Sequence, residues 1–330
     1  MKGKYHFEVR SKRTVFAFDI TRNISVIKGD SGTGKTTLLR MMYEYLLSGR
    51  ESGFSVYADA PYFVYLRGEI GRSWEDILTP LHNNVVFIEE NNNFVFSKDF
   101  AEYVGTSDNY FVIVNRSPIK VLPYSVHAIY EIVSGSQHPD VKESFHELRE
   151  LYSNYPDISG NRMEHIITED SNSGYQFYLH LFSDSQVISA NGNTNIISRL
   201  KEIQGDTLVI SDGAAFGAMV EDCMAYSDDV RNHRIAFWMP ESFEYILLSA
   251  HVVSSAELND ILRAPYNYIE CSEYISWERY FTDLLIRLSD GISKYSKTVL
   301  NAFYLQDKNI KKVIDVMPEP IRKRAVERRK

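Results

Sequence analysis

The sequence predicts an α/β protein of two domains, and three observations carry that reading. Short β-branched and aromatic runs alternate with helix-forming segments through the first half. A glycine-rich loop stands between one such run and a strong helix former. The same strand–helix alternation then restarts in the second half. A length of 330 residues suits two domains, each long enough to bury its own core. The balance of 44% hydrophobic and 24% charged residues is that of a folded chain. The boundary is expected between Ser134 and Asn161, where Gly, Ser, Pro and a polar segment intervene, giving domains over 1–150 and 151–330.

In chain order, Tyr5-His6-Phe7-Glu8-Val9 alternates as a half-buried strand, and Thr14-Val15-Phe16-Ala17-Phe18 follows a charged turn as a second. Ile24-Ser25-Val26-Ile27 is a third, closed by Lys28-Gly29. Thr36 to Leu47 is rich in helix formers and is stopped by Ser48-Gly49. Strands are expected at Tyr62 to Leu66, Val85 to Ile88 and Tyr110 to Val114, with a helix over Lys98 to Val104, which together predict a mostly parallel sheet. Glu143 to Glu150 reads as a polar helix with Glu143 and Glu147 on one side. Strands then recur at His165 to Thr168, Gln186 to Ile188, Thr207 to Ile210 and Arg234 to Trp238, with helices at Gln176 to Phe182 and Ile196 to Ile203. From Trp277 onward the chain reads as helical, with Phe281, Leu284, Leu285 and Leu288 at helical spacing.

Composition excludes several classes. No stretch approaches the roughly 20 apolar residues of a membrane helix, and Met1-Lys2-Gly3-Lys4 leads into a strand rather than a secretory signal, so a cytoplasmic protein without membrane association is expected. Cys223 and Cys271 lack CxxC or His-rich company and read as buried free thiols. The histidines show no metal-ligand spacing, and no Gly-x-Ser-x-Gly elbow or HExxH pattern occurs. A net charge of −8 gives no general attraction for nucleic acid. Lys308 to Lys330 nevertheless carries nine Lys or Arg, which suits either a phosphate-backbone contact or a solvated terminal helix. The 22 Tyr and 18 Phe are scattered and read chiefly as core rather than as base-stacking platforms.

The chemistry is concentrated in Gly29-Asp30-Ser31-Gly32-Thr33-Gly34-Lys35-Thr36, which fits GxxxxGK[ST] at every fixed position, with Thr37 beside it. Glycines let successive backbone N–H groups curl around a phosphate, and the helix that starts here adds its positive end. Lys35 is expected to reach the β- and γ-phosphates and the Thr36 hydroxyl to ligate Mg²⁺, so the loop reads as a nucleoside triphosphate site, taken as ATP with Mg²⁺. Val85-Val86-Phe87-Ile88-Glu89-Glu90 has the form of a Walker B strand. One acid there holds the metal and its neighbour polarises the attacking water. Asp is usual at the first of these positions, so Glu89 is a departure.

The order of strands before this loop resembles the ATPase domains of the ABC class, and especially the OLD-type (overcoming lysogenization defect) ATPases. Their sensor strand typically ends in Thr-His-Ser-Pro. Here Val112-Ile113-Val114-Asn115-Arg116-Ser117-Pro118 takes that place, with Arg116 where the switch histidine stands, suited to touching a γ-phosphate but not to acting as a base. No LSGGQ-like signature is found, and only about fifty residues separate the two Walker motifs, which leaves no room for the usual helical signature insertion. The resemblance implies a P-loop NTPase domain over roughly residues 5–135. OLD-type proteins often carry a TOPRIM nuclease domain behind the ATPase, and the second half is similar to one. Ile166-Ile167-Thr168-Glu169 matches the strand that ends in Glu, and Ile210-Ser211-Asp212-Gly213-Ala214-Ala215-Phe216-Gly217 matches the Asp-x-Asp-x-x-Gly strand with Ala214 in place of the second Asp. The resemblance implies that Glu169 and Asp212 share one Mg²⁺, and Pro240 to Leu248 resembles the acidic helix start behind such strands.

The whole is an α/β expectation: a P-loop NTPase domain, ABC-like but lacking the helical insertion, followed by a TOPRIM-like α/β domain with a helical, basic C-terminus. Three functions follow. In the first, ATP binding or hydrolysis is coupled to a domain that acts on nucleic acid, with a role in phage defence implied by the resemblance. In the second, a nucleotide-gated binding module works as a homo-oligomer or with a partner effector protein and cleaves nothing. A small-molecule kinase is the third.

Overall fold

The computed structural model describes residues 1–30, 32–66, 72–135, 144–152 and 163–327. The chain divides into two units, Met1–Ser153 with Ala264–Ile275, and Asn154–Arg263 with Ser276–Lys330. The segment Ala264–Ile275 thus belongs with the first unit, although the sequence expectation assigned all of 151–330 to the second.

The first unit opens with a hairpin of β1 (Tyr5–Arg10) and β2 (Thr14–Ile20), whose turn is set by Ser11 Oγ accepting from the Thr14 N–H at 3.0 Å. β3 (Ile24–Lys28) is buried at every position, as a strand covered on both faces must be. It feeds the glycine loop and α1 (Lys35–Ser48). The edge strand β4 (Ser55–Ala58) and β5 (Tyr62–Tyr65) come next. The short α2 (Trp74–Leu78) begins in a capping box between Ser73 and Asp76. β6 (Val85–Ile88), α3 (Lys98–Thr106), β7 (Tyr110–Val114), β8 (Ile129–Gly135) and β9 (Ser144–Glu150) complete the unit.

Among the described residues these strands form one nine-stranded sheet in the order β4-β1-β2-β9-β8-β3-β7-β6-β5. It is mixed, with five parallel and three antiparallel ladders, and the strands from which a mostly parallel sheet was expected are parallel to one another. β8, β3, β7, β6 and β5 run parallel, whereas β9 is antiparallel to β8, and β1 is antiparallel to both β2 and β4. Stacked and edge-on rings of Phe7, Phe18 and Phe87 lie in its core.

The expected helix at Glu143 to Glu150 is instead the strand β9; Glu143 itself lies outside the described residues. Pairing on both sides overrides the acid-rich composition. Tyr130 to Gly135 bonds one edge of β9, Phe16 faces His146 across the other, and Arg149 pairs with Glu131 at 2.8 Å across the ladder.

The second unit repeats a simpler plan: β10 (His165–Thr168), α4 (Ser173–Leu181), β11 (Gln186–Ser189), α5 (Ile196–Glu202), β12 (Thr207–Ile210), α6 (Gly217–Asp229) and β13 (Ile235–Trp238). Among the described residues its four strands are all parallel, in the order β11-β10-β12-β13. Helices α7 (Phe243–Ser249), α8 (Leu258–Arg263), α9 (Trp277–Leu288), α10 (Asp307–Val316) and α11 (Glu319–Glu327) follow. α9 buries Trp277, Tyr280, Phe281, Leu284 and Leu285 as one amphipathic stripe and starts at the Ser276 cap. The basic C-terminal stretch is helical as far as it is described. Cys223 and Cys271 are buried free thiols. No helix among the described residues is long and apolar enough to cross a membrane.

Candidate functional site

Parallel strands deliver their loops to one edge of a sheet, and ligands of α/β proteins sit at the carboxyl ends of those strands. In the first unit the carboxyl ends of β3, β7 and β6 are adjacent. They carry the glycine loop, Asn115-Arg116 and Glu89-Glu90 respectively.

The glycine loop needs its glycines. Gly29, Gly32 and Gly34 have φ of 123°, 87° and 97°, in the half of conformational space that side chains disfavour. At Gly34 there is a second constraint, because an added Cβ would lie 3.3 Å from the Phe16 ring. Lys35 is buried and folds back over the loop. Its ammonium donates to the carbonyls of Gly29 at 2.6 Å and Asp30 at 2.7 Å, and to Thr33 Oγ1 at 3.0 Å. Thr36 and Thr37 are exposed in the first turn of α1, and Gly32 and Asp30 are also exposed. Ser31 lies outside the described residues.

Glu90 and Arg116 meet: Nε of Arg116 lies 2.7 Å from Glu90 Oε1, joining the turns after β6 and β7. Both act on Lys35. Desolvation holds its ammonium below the usual lysine range, Glu90 opposes that shift and Arg116 adds to it, so the three side chains share one electrostatic site. Glu89 is half-buried, and its N–H continues the ladder to the Tyr65 carbonyl at 2.9 Å. Asn115 is buried, with its N–H on the Ile27 carbonyl at 3.2 Å. Sequence reasoning passed over Phe16 and His146, which stack with ring centroids 4.7 Å apart beside Gly34. Only the cross-strand pairing of β2 with β9 brings them together.

The second unit has its own convergence. Its strand order reverses between β10 and β12, which is the position where a doubly wound sheet opens a crevice. Glu169 follows β10 and Asp212 follows β12, so the two acids singled out in the sequence stand side by side there, with the Asp212 N–H donating to Glu169 Oε2 at 3.2 Å. Asp212 Oδ1 in turn accepts from the Phe243 N–H at 3.0 Å. The Gly213 turn that carries Asp212 passes so close to the next loop that a Cβ at 213 would lie 2.5 Å from the Met239 carbonyl oxygen. Ala214, at the place of the second acid, is buried and its N–H bonds the Glu241 carbonyl at 3.1 Å.

A small cavity of about 30 Å³ opens at this point, room for one or two waters or a dehydrated cation. Glu244, which lies in the Pro240 to Leu248 segment expected to open an acidic helix, joins it from the start of α7, and two residues absent from the sequence reading complete it: Lys297 and, through its charge, Glu278 from the start of α9. Glu244 is buried and accepts at Oε1 from the Tyr295 hydroxyl at 2.7 Å. Lys297 forms an ion pair with Glu278. Burial pushes the Glu169 carboxyl up to about 7, and Glu278 adds to the shift. Burial likewise raises Asp212 well above the carboxylate range, and Glu244 is raised for the same reason. No short motif announces Glu278 or Lys297, because they come from a helix and a loop remote in sequence from the two strands.

Among the described residues, no three His, Cys, Asp or Glu side chains are grouped to hold a metal ion. The acids at both places are engaged with protein donors. The chain matches no protein-family model, and no curated protein matches it in sequence.

Proposed function

We propose that the first unit binds ATP with Mg²⁺ at the glycine loop, and that the protein is an ATP-dependent regulator whose TOPRIM-like second unit acts on nucleic acid. The observation that carries the first half is the shared electrostatic site of Lys35, Glu90 and Arg116 at the carboxyl ends of adjacent strands, over a loop of positive-φ glycines. Lys35 has three oxygen acceptors in the loop, and phosphate oxygens are the ligands that replace such acceptors best. Arg116, now paired with Glu90, would sense a γ-phosphate, and Glu90 would orient a water once Arg116 turns to the nucleotide. Thr36 and Glu89 would hold the magnesium, which supplies charge neutralisation along the phosphates. In the second unit, Glu169 and Asp212 are the acids that would hold a divalent cation. The cavity's buried hydroxyl and carboxylate oxygens fit such an ion, because hard cations take oxygen ligands. A place in phage defence rests on the resemblance to OLD-type proteins.

ATP hydrolysis by the purified protein with Mg²⁺, beside Lys35→Ala and Glu90→Gln, with and without DNA, tests this. Turnover lost in both variants and stimulated by DNA supports the proposal. Absence of any nucleotide effect sinks it.

A second reading is favoured by Ala214, which removes a carboxylate from the second site: a nucleotide-gated module, homo-oligomeric or bound to an effector, that cleaves nothing. Metal-dependent nicking of plasmid DNA, abolished by Asp212→Ala, separates the first reading from the second. An ATP-dependent change of mass without cleavage identifies the second.

A further inference from the structure

The acidic cavity of the second unit contains more negative charge than its two sequence-flagged acids supply. Glu278 acts on Glu169, Asp212 and Glu244, Glu244 and Glu169 both act on Asp212, Asp170 acts on Glu169, and Lys297 is the cation that opposes them. Such a cluster is unstable unless protons or a positive charge balance it.

Three buried polar atoms of the cavity wall have no hydrogen-bond partner: Glu244 Oε2, Ser211 Oγ and Tyr178 Oη. Orphaned atoms of this kind mark a place where a further group belongs. Glu244 is 1% exposed, so its free oxygen cannot be satisfied by bulk water. Glu169, Asp170, Asp212 and Glu244 line this one small cavity with the Ser211 and Tyr178 hydroxyls, an all-oxygen lining of the kind hard divalent cations take.

Lys297 is held at this place by its backbone. Its carbonyl accepts from the Ser173 N–H at 2.9 Å at the start of α4. The Gln176 side chain clamps the following residues, donating to the Thr298 carbonyl and accepting from the Leu300 N–H, both at 2.9 Å. On the other side, Tyr295 bridges Glu244 at 2.7 Å and Ser173 Oγ at 2.5 Å. The loop is therefore fixed at both flanks of Lys297, and its ammonium is directed to Glu278 beside the cavity.

We propose that Lys297 is the resident counter-cation of this cavity and competes with a divalent cation for it. The inference rests on the reading of Glu169 and Asp212 as a cation site. It adds that the chain carries its own substitute for the metal, so that metal entry requires Lys297 to leave. With the loop held at both flanks, the Lys297 side chain is then the element whose swing switches the site between its lysine-filled and metal-filled forms.

The test uses the full-length protein, first stripped with EDTA, and Mn²⁺ alone as the probe. Thermal melting and Mn²⁺ binding are measured for the parent, Lys297→Met, Lys297→Arg and Lys297→Met/Asp212→Asn. Lys297→Met is expected to melt lower than the parent in EDTA, to recover with Mn²⁺, and to bind Mn²⁺ at least about tenfold tighter, because a repelling unit charge has gone. Lys297→Arg should behave as the parent, and adding Asp212→Asn should remove the gain. Should Lys297→Met fail to fold, Lys297→Met/Glu278→Gln keeps the charge balance and should still bind Mn²⁺ more tightly than the parent. If parent and Lys297→Met gain equally from Mn²⁺, and Asp212→Asn abolishes both gains, the cation site stands and the role of Lys297 is overturned. If none of the variants responds to Mn²⁺, the cation site and the inference fall together.

Discussion

Arg116 and Glu90 meet at 2.7 Å and tie together the carboxyl ends of β7, the neighbour of β3 and its glycine loop, and of β6 beyond it. The pair is half in solvent, with the Arg116 side chain 56% exposed, so it holds little folding energy. Its importance is positional. Arg116 stands at the end of β7, and its charge is carried to Lys35 through the shared field.

Arg116→Ala should therefore leave the melting temperature within a degree or two of the parent, because an exposed pair contributes about 0–1 kcal/mol before screening. Its expected effect is on nucleotide. ATP affinity should fall by roughly tenfold, the scale of one lost charge-assisted hydrogen bond, while ADP affinity changes less. Calorimetric titration with the two nucleotides checks this. An equal loss for ATP and ADP would remove Arg116 from the γ-phosphate.

Gly34→Ala should destabilise the first unit. A side chain at φ 97° is strained by about 1–2 kcal/mol, and its Cβ would press on Phe16 at 3.3 Å. Gly32 has nothing within 4 Å of the same added atom, so Gly32→Ala should lose only the conformational part. Urea unfolding of the two variants separates strain from contact.

Much of this was legible in the sequence, and the parts that were not share a cause. β3, α1, β6 and β7 could be read because a strand buried on both faces is continuously apolar and a helix after a glycine loop is dense in Leu and Met. Glu169 and Asp212 were singled out by the resemblance of their strand ends to TOPRIM strands, and each follows a short apolar strand. β9 was misread because its acidic composition favours a helix locally, whereas its strand state is decided by partners over a hundred residues away on β2 and nearby on β8. Glu278 and Lys297 were invisible for the same reason: groups brought beside a cavity from α9 and a loop leave no spacing to read, whereas Glu244 lay in the acidic helix start already noted at Pro240 to Leu248. The division at Ala264–Ile275 has no compositional mark either; it depends on contacts such as Asn23 Nδ2 to the Ile275 carbonyl at 2.9 Å.

The acidic cavity gives stability a pH dependence of definite sign. Glu169 has its carboxyl raised to about 7 by burial and by Glu278, so the folded state holds a proton that the unfolded state has released above its ordinary value near 4.5. Its contribution is fully present below about 4.5 and is lost as pH rises through about 7. Glu169→Gln keeps an oxygen for the Asp212 N–H but cannot ionise. It should match the parent at pH 5 and exceed it at pH 8 by roughly 2–3 kcal/mol, measured by denaturant unfolding in EDTA. A gap that narrows as pH rises would contradict the burial of that charge.

Both thiols should be unreactive in the folded protein. Burial pushes Cys223 up to about 12 and Cys271 up to about 11, so neither supplies thiolate near neutrality. Iodoacetamide at pH 7.5 should modify neither within hours and both within minutes in denaturant, as followed by intact mass.

The central claim is that Lys35 closes the glycine loop over a nucleoside triphosphate, and equilibrium binding of ATP with Mg²⁺ to the parent and to Lys35→Ala tests it most directly. The account predicts saturable binding at one site per chain in the parent, and an affinity at least about a hundredfold weaker in Lys35→Ala, from the loss of a buried ammonium that donates to phosphate oxygens. Equal affinity in the two proteins, or no binding by either, would contradict it.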